Sequence, residues 1–90
     1  MNDKTIIDVL GTRRSLIVDP RDNVATLLDT CMELDRLSNG VKIETDIPFG
    51  HKVAVCDIKK GEAVFKYGIS IGTALNDIAT GGHIHVHNLE

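Results

Sequence analysis

The glycines in the second half of the chain place the strongest limit on its fold. Six of them lie between residues 50 and 82: Gly50, Gly61, Gly68, Gly72, Gly81 and Gly82. The segments beside them are short and rich in β-forming residues, among them HKVAV, AVFKY and HIHVH. Because glycine readily adopts the backbone conformations of tight turns, this density predicts a compact set of short, bent strands.

The first half is predicted to contain one amphipathic helix, which Asp22 or Asn23 caps and which begins near Val24. The helix ends at Ser38-Asn39-Gly40. Its apolar stripe has helical spacing: Val24, Leu27, Leu28, Cys31, Leu34 and Leu37. Two short strands, KTIIDVLG and SLIVD, come before it, and VKIETDI after it alternates like a third. The predicted class is therefore α+β, in a single domain over residues 1–90.

Composition excludes several classes of function. The chain is 42% hydrophobic and 26% charged, with a formal net charge of −3 and three aromatic residues, Phe49, Phe65 and Tyr67. It has neither the basic stripe nor the stacking platform of a nucleic-acid-binding protein. It also lacks an apolar run long enough to cross a membrane and an N-terminal signal peptide.

The two cysteines, Cys31 and Cys56, fit no metal or redox spacing. We expect two reduced thiols and hence a cytoplasmic protein. We assign no role to the closing Leu89 and Glu90.

Histidines occupy every second position of residues 83–87. If this segment is a strand, His83, His85 and His87 share one face, while Ile84 and Val86 face the core. Neighbouring imidazoles on that face stand about 6.6 Å apart, so His83/His85 or His85/His87 can bind one metal ion. The alternative is that these are polar residues on an exposed strand. A chain of 90 residues seldom holds a complete buried active site, so catalysis would require a partner chain.

Residues 47–88 carry three motifs in order: GHK at 50–52, KYG at 66–68 and HIHVHN at 83–88. Together they resemble the SAF domain of the altronate and galactarate dehydratase family, and DNVATLL at 22–28 resembles the family's first helix. The resemblance implies a β-clip fold. It also implies either the N-terminal part of a long sugar-acid dehydratase or a small subunit beside a large one. One departure is Gly82, where the family often carries glutamate.

The resemblance further implies β-elimination from a hexonate or hexarate, with a divalent metal, possibly iron, shared with the large subunit. A base removes the proton beside the carboxylate, and the hydroxyl of the next carbon leaves as water. The groups assigned to catalysis are His51, Lys66 and Tyr67. Those assigned to the substrate are Lys52, His87 and Asn88. The metal is assigned to His83 and His85.

Each assignment has a structural alternative. His51 can be a turn residue that is hydrogen-bonded to backbone carbonyls, and Lys52 can be a surface charge. Tyr67 can pack against the core, and Asn88 can orient a histidine or fix a turn. Two other functions also stay open. One is a non-catalytic β-clip module for a carboxylated small molecule, and the other is the small subunit of a sulfolactate sulfo-lyase. A free-standing metal carrier is a weaker third possibility. A homo-oligomer is a further alternative for its assembly.

Overall fold

The computed structural model of the chain describes residues 11–90, and they form an all-β structure. The strands are β1 (Ser15–Leu16), β2 (Val24–Leu27), β3 (Lys52–Ala54), β4 (Ala63–Lys66), β5 (Ile69–Thr73) and β6 (His83–Ile84). Strands β1, β2, β3 and β6 form one antiparallel sheet in the order β1-β2-β3-β6, and β4 pairs with β5 in a second. No helix able to span a membrane is found in the described part of the chain.

The α+β class and the amphipathic helix were wrong, because the segment after Asn23 is strand β2. All four of its residues are buried, since β2 lies between β1 and β3 and packs on both faces. The expected stripe is divided accordingly: Val24 belongs to one apolar cluster, and Leu27 and Leu37 belong to the other. Cys31 is exposed. A short run buried on both faces cannot be distinguished from a helical segment by periodicity alone.

Two apolar clusters make up the core. The first contains Val24, Ala54, Ile58, Val64, Ala74, Ile78 and Ile84. The second contains Ala25, Leu27, Leu37, Ile43, Ile47 and Val53. Alternate residues of β2 and β3 enter different clusters, as the period of two along a strand requires. The main sheet therefore has an apolar layer on each face.

The remaining strand predictions have mixed outcomes. Short, glycine-punctuated strands are confirmed, with β3, β4 and β6 inside the three segments named above. SLIVD contributes only Ser15–Leu16, and VKIETDI contains no strand beyond an isolated bridge at Lys42. KTIIDVLG lies almost wholly outside the described residues, and the β-clip class stays a prediction. Leu89, given no role above, packs against the first cluster and bridges to Ala74.

Gly81 is required where two loops cross. A Cβ atom there would lie 2.0 Å from the carbonyl oxygen of Lys42, and the residue has a φ of +87°. Gly61 has nearly the same φ, +86°, but a Cβ atom there would meet nothing within 4 Å. The two glycines share their backbone conformation and differ in the space around them.

We therefore expect Gly81→Ala to destabilise the domain more than Gly61→Ala does. Both variants place alanine in the left-handed region, at a cost of about 1–2 kcal/mol. Gly81→Ala adds an overpacking cost of roughly 1–3 kcal/mol. Urea unfolding of the two variants measures the difference, and equal midpoints would show that the loops do not touch at Gly81.

Candidate functional site

Four imidazoles gather beside the β3–β6 pair, and we call them the imidazole cluster: His51, His83, His85 and His87. His51 directly precedes β3, and His83 begins β6, where it pairs with Val53. The Nδ1 atom of His51 lies 2.9 Å from Nε2 of His83, a hydrogen bond whose donor depends on the tautomer. The rings of His51 and His85 stack with centroids 3.9 Å apart and planes 8° from parallel. His51, treated above as a separate residue, thus lies at the centre of the group.

The histidine segment is not the continuous strand predicted for residues 83–87. Strand β6 ends at Ile84, which is fully buried, and Val86 is 78% exposed instead of facing the core. The chain turns after Ile84 and brings the rings of His83 and His87 to a centroid distance of 5.2 Å. These two imidazoles are therefore closer than a strand would allow.

Asn88 makes three hydrogen bonds within this turn. Its Oδ1 accepts a hydrogen bond from the backbone N–H of His85 at 3.0 Å. Its Nδ2 donates to the carbonyl oxygen of His83 at 2.8 Å. Its own backbone N–H donates to the carbonyl of His85. Because its side chain is buried and occupied in this way, Asn88 positions the histidines from behind.

The cluster disfavours protonation of His51 and His83. Burial lowers the pKa of His51, and electrostatic repulsion by His85 and Lys52 lowers it further. Burial also lowers the pKa of His83, as do the neighbouring imidazoles, whereas Glu44 acts in the opposite direction. These two imidazoles are thus held in the neutral form, which can accept a proton or bind a cation.

The imidazoles do not form a complete metal cage on their own. Within residues 11–90, no three histidine, cysteine, aspartate or glutamate side chains converge on a point suited to an ion. The stacked rings of His51 and His85 hold their lone pairs in parallel planes, so these two cannot bind the same ion as arranged. Nδ1 of His85 is buried and has no hydrogen-bond partner among residues 11–90. An imidazole nitrogen without a hydrogen-bond partner is able to bind a metal ion. One or two of these histidines are therefore suited to contribute ligands to a metal site that is shared with another chain.

A cleft of about 580 Å³ opens beside the cluster. His83 and His87 line one side of it, and Lys42, Glu44 and Asp77 are among the other lining residues. The cleft has a mixed polar and apolar lining with both signs of charge, so it offers hydrogen-bond partners to a small hydroxylated molecule.

Glu44 is the residue of this cleft that the sequence did not single out. Its Oε2 accepts the backbone N–H of His83 at 2.6 Å, and its own N–H donates to the carbonyl of Gly81 at 3.0 Å. A Cβ atom at Gly82 would lie 3.5 Å from the same Oε2. A carboxylate therefore stands beside position 82, although it comes from a loop 38 residues earlier in the chain. No local pattern in VKIETDI could have indicated this contact.

Lys52, Lys66 and Tyr67 form a second group. Lys52 lies in β3, opposite Ile84 and Thr26. Burial lowers its pKa, and the positive charge of Lys66 lowers it further, so the two ammonium groups are close enough to interact. Two neighbouring cations are suited to a carboxylate.

Tyr67 does not pack in the core, because it is 41% exposed. With Gly68 it forms the two-residue turn between β4 and β5, and both residues have positive φ. The Nζ atom of Lys66 lies 4.9 Å from the centroid of the Tyr67 ring. No hydrogen bond or ring contact within residues 11–90 joins Tyr67 to the imidazole cluster.

Comparison with known proteins gives a consistent set of relatives. The family described as altronate/galactarate dehydratase SAF domain matches residues 13–90. Altronate dehydratase of Escherichia coli is 47% identical over 70 residues, which is 74% of this chain and 14% of that protein. Altronate dehydratase of Bacillus subtilis is 45% identical over 74 residues, 79% of this chain and 15% of that protein. The alpha subunit of (2R)-sulfolactate sulfo-lyase of Paracoccus pantotrophus is 49% identical over 45 residues, 50% of this chain and 67% of that subunit.

Proposed function

We propose that this chain, which belongs to the altronate/galactarate dehydratase SAF domain family and is a sugar-acid lyase-related domain, is the small subunit of a sugar-acid dehydratase. A separate large catalytic subunit completes the enzyme. The matched segment is only 14% and 15% of the two altronate dehydratases, so those proteins contain a much larger body beside this domain. The name of the sulfo-lyase relative, a subunit alpha, supports an assembly of more than one chain.

The observation that carries the proposal is the imidazole cluster, two of whose members, His83 and His87, line an open cleft. His51 is in contact with two other imidazoles and is held neutral, so it is suited to accept the proton beside the substrate carboxylate. The carbon–oxygen bond at the next carbon then breaks. The departing hydroxyl takes up a proton and leaves as water.

The two lysines bind the substrate carboxylate, and Tyr67 acts on the leaving group. Lys52 and Lys66 pair with the substrate carboxylate, where Lys66 also counters the charge that develops during proton removal. The Tyr67 hydroxyl is a proton donor for the leaving group. His87, which lines the cleft, contacts substrate hydroxyls, and Asn88 holds the turn that presents it.

His83 and His85 are the residues that would hold a divalent cation, for which iron is the first candidate. The cation would stabilise negative charge on the enediolate oxygens of the deprotonated substrate. The large subunit would supply the other ligands. The unpartnered Nδ1 of His85 supports this role.

A sulfolactate sulfo-lyase is the second candidate. The match to the alpha subunit of (2R)-sulfolactate sulfo-lyase favours this function, because the matched segment covers 67% of that subunit. The same elimination applies, with sulfite as the leaving group in place of water. Because sulfite leaves as an anion, it needs less protonation than hydroxide does.

Co-purification under native conditions tests the proposal. A tagged copy of the chain, expressed in its source organism, is isolated and its partners are identified by mass. We expect a stoichiometric large chain that is homologous to the part of altronate dehydratase outside the matched segment. The complex is then assayed with hexonates, hexarates and sulfolactate. A chain that purifies alone, or a complex that eliminates neither water nor sulfite, would contradict the proposal.

Lys66→Met is expected to raise the KM of the complex by about 10–100-fold, since a hydrogen bond to a charged group contributes roughly 1.5–3 kcal/mol. The variant keeps the aliphatic length of the side chain and removes its charge. Lys59→Met, in an exposed turn outside both groups of site residues, is the matched control and should leave KM unchanged. Steady-state kinetics decide between the two outcomes, and an equal KM in both variants would exclude Lys66 from substrate binding.

A further inference from the structure

The turn of the β4–β5 hairpin and the loop before β2 present a set of exposed apolar side chains. We call it the hairpin surface and define it by four residues: Ile17, Val18, Ile69 and Ile71. Val18 is 60% exposed and Ile69 is 67% exposed. All four lie outside the imidazole cluster and the cleft.

Asp22 joins the two parts of this surface. Its Oδ2 accepts the backbone N–H groups of Val18 and Asp19, and its Oδ1 accepts the N–H of Gly68 at 2.7 Å. Asp22 is only 9% exposed. A Cβ atom at Gly68 would lie 2.7 Å from the Asp19 carboxylate, so the hairpin turn and the loop are in direct contact. The apolar side chains are therefore presented on one preorganised surface, not on two independent loops.

The exposure of this surface is costly for a free domain. Four of the five residues of β5 are exposed, and among residues 11–90 β5 belongs to a two-stranded sheet with β4. Val64 of β4 packs in the first core cluster, whereas Ile69 and Ile71 of β5 are exposed. An exposed apolar strand favours association, and exposed apolar surface of this kind marks a site of interaction with another protein.

We propose that the hairpin surface is the docking site for the large lyase chain. This inference rests on the proposed function. Its occupant is indicated by the relatives, because the matched segment makes up only 14% and 15% of the altronate dehydratases. In those proteins the domain shares its chain with a body several times its size, which can cover the surface. No residue of the hairpin surface belongs to the imidazole cluster or lines the cleft, so docking here leaves the cleft open to substrate.

A double variant, Val18→Asp/Ile69→Asp, tests the inference in the full chain co-expressed with its large partner. Ser70→Asp is the matched control, because it adds the same charge to the same strand at a position that is already polar and exposed. We expect the double variant to weaken the complex by at least about 30-fold, as loss of central apolar contacts does, and Ser70→Asp to change the Kd much less. Thermal unfolding of both free variants establishes that they are folded.

Hydrogen exchange of the wild-type chain, alone and in the complex, is the second measurement. We expect added protection at the amides of Ile69–Thr73 in the complex. Equal binding by the double variant and wild type, equal weakening by Ser70→Asp, or protection confined to the histidine turn would overturn the inference while leaving the proposed function intact. A homodimer of the wild type built on this surface would also overturn it. Absence of any large partner for the wild type would instead refute the proposed function.

Discussion

Arg13→Met should lower the free energy of unfolding by about 3–5 kcal/mol, the usual cost of breaking a buried ion pair. The Arg13 side chain is fully buried. Its Nε donates to Asp29 Oδ1 at 2.9 Å, its Nη2 donates to the Asp29 carbonyl at 2.7 Å, and its Nη1 donates to the carbonyl of Ile47. Methionine roughly fills the space but makes none of these bonds, so the Asp29 carboxylate loses its charge partner and two carbonyls lose a donor.

The structure around Asp29 supports this estimate. Burial alone would raise the pKa of Asp29, but hydrogen bonds from the Arg14 amide and the Arg13 guanidinium outweigh burial and hold the pKa below its ordinary value. Asp29 is thus ionised in the folded protein and depends on Arg13 for neutralisation. Arg13 joins the segment before β1 to the loops that follow β2 and precede β3.

Arg14→Met is the matched control for this prediction. Arg14 is the exposed neighbour of Arg13, and only its backbone N–H contacts Asp29. We expect a change within about 0.5 kcal/mol, as for most surface substitutions. Urea unfolding compares the two variants, and equal midpoints would contradict the structural role assigned to Arg13.

His51→Ala should lower the kcat/KM of the assembled enzyme by about 100-fold or more, since a positioned acid–base group contributes typically 10²–10⁴-fold. The expectation rests on the position of His51, which is hydrogen-bonded to His83 and stacked on His85. Removing its ring takes away a proton acceptor and the contact that orders the two neighbours.

The measurement combines steady-state kinetics with binding to the large chain. His51→Ala should bind with unchanged affinity, because His51 lies outside the hairpin surface. Thr45→Ala, which removes a hydroxyl that donates to the neighbouring Asp46 carboxylate, is the control and should keep full activity. A His51→Ala complex with wild-type turnover would show that the cluster has no catalytic role.

Much of the candidate site could be predicted from the sequence, because its residues lie in short motifs. GHK, KYG and HIHVHN named every histidine of the cluster and both lysines of the second group. The motifs could not predict the register in which the strands pair. The pairing of Val53 with His83 brings His51 against a segment 32 residues away, and only the β3–β6 ladder sets this contact.

The fold was predicted less well, and β2 explains why. Val-Ala-Thr-Leu is four residues long, and it is buried on both faces by neighbours that are distant in sequence. Apolar residues further along, at Leu34 and Leu37, extended the pattern to helical spacing by coincidence. Similarly, HIHVH alternates like a strand. The side chain of Asn88, however, forms hydrogen bonds with backbone groups of His83 and His85, and the segment forms a turn. Side-chain hydrogen bonds of this kind compete with strand pairing and leave no periodic signal.

The central claim is that this chain completes the active site of a larger lyase, and an add-back titration tests it most directly. The large chain, purified without its partner, is assayed for elimination while increasing amounts of the wild-type or His51→Ala chain are added. The account predicts no turnover by either chain alone, activity that saturates at stoichiometric addition of the wild type, and little recovery with His51→Ala. Full activity of the large chain alone, or equal recovery with His51→Ala, would contradict it.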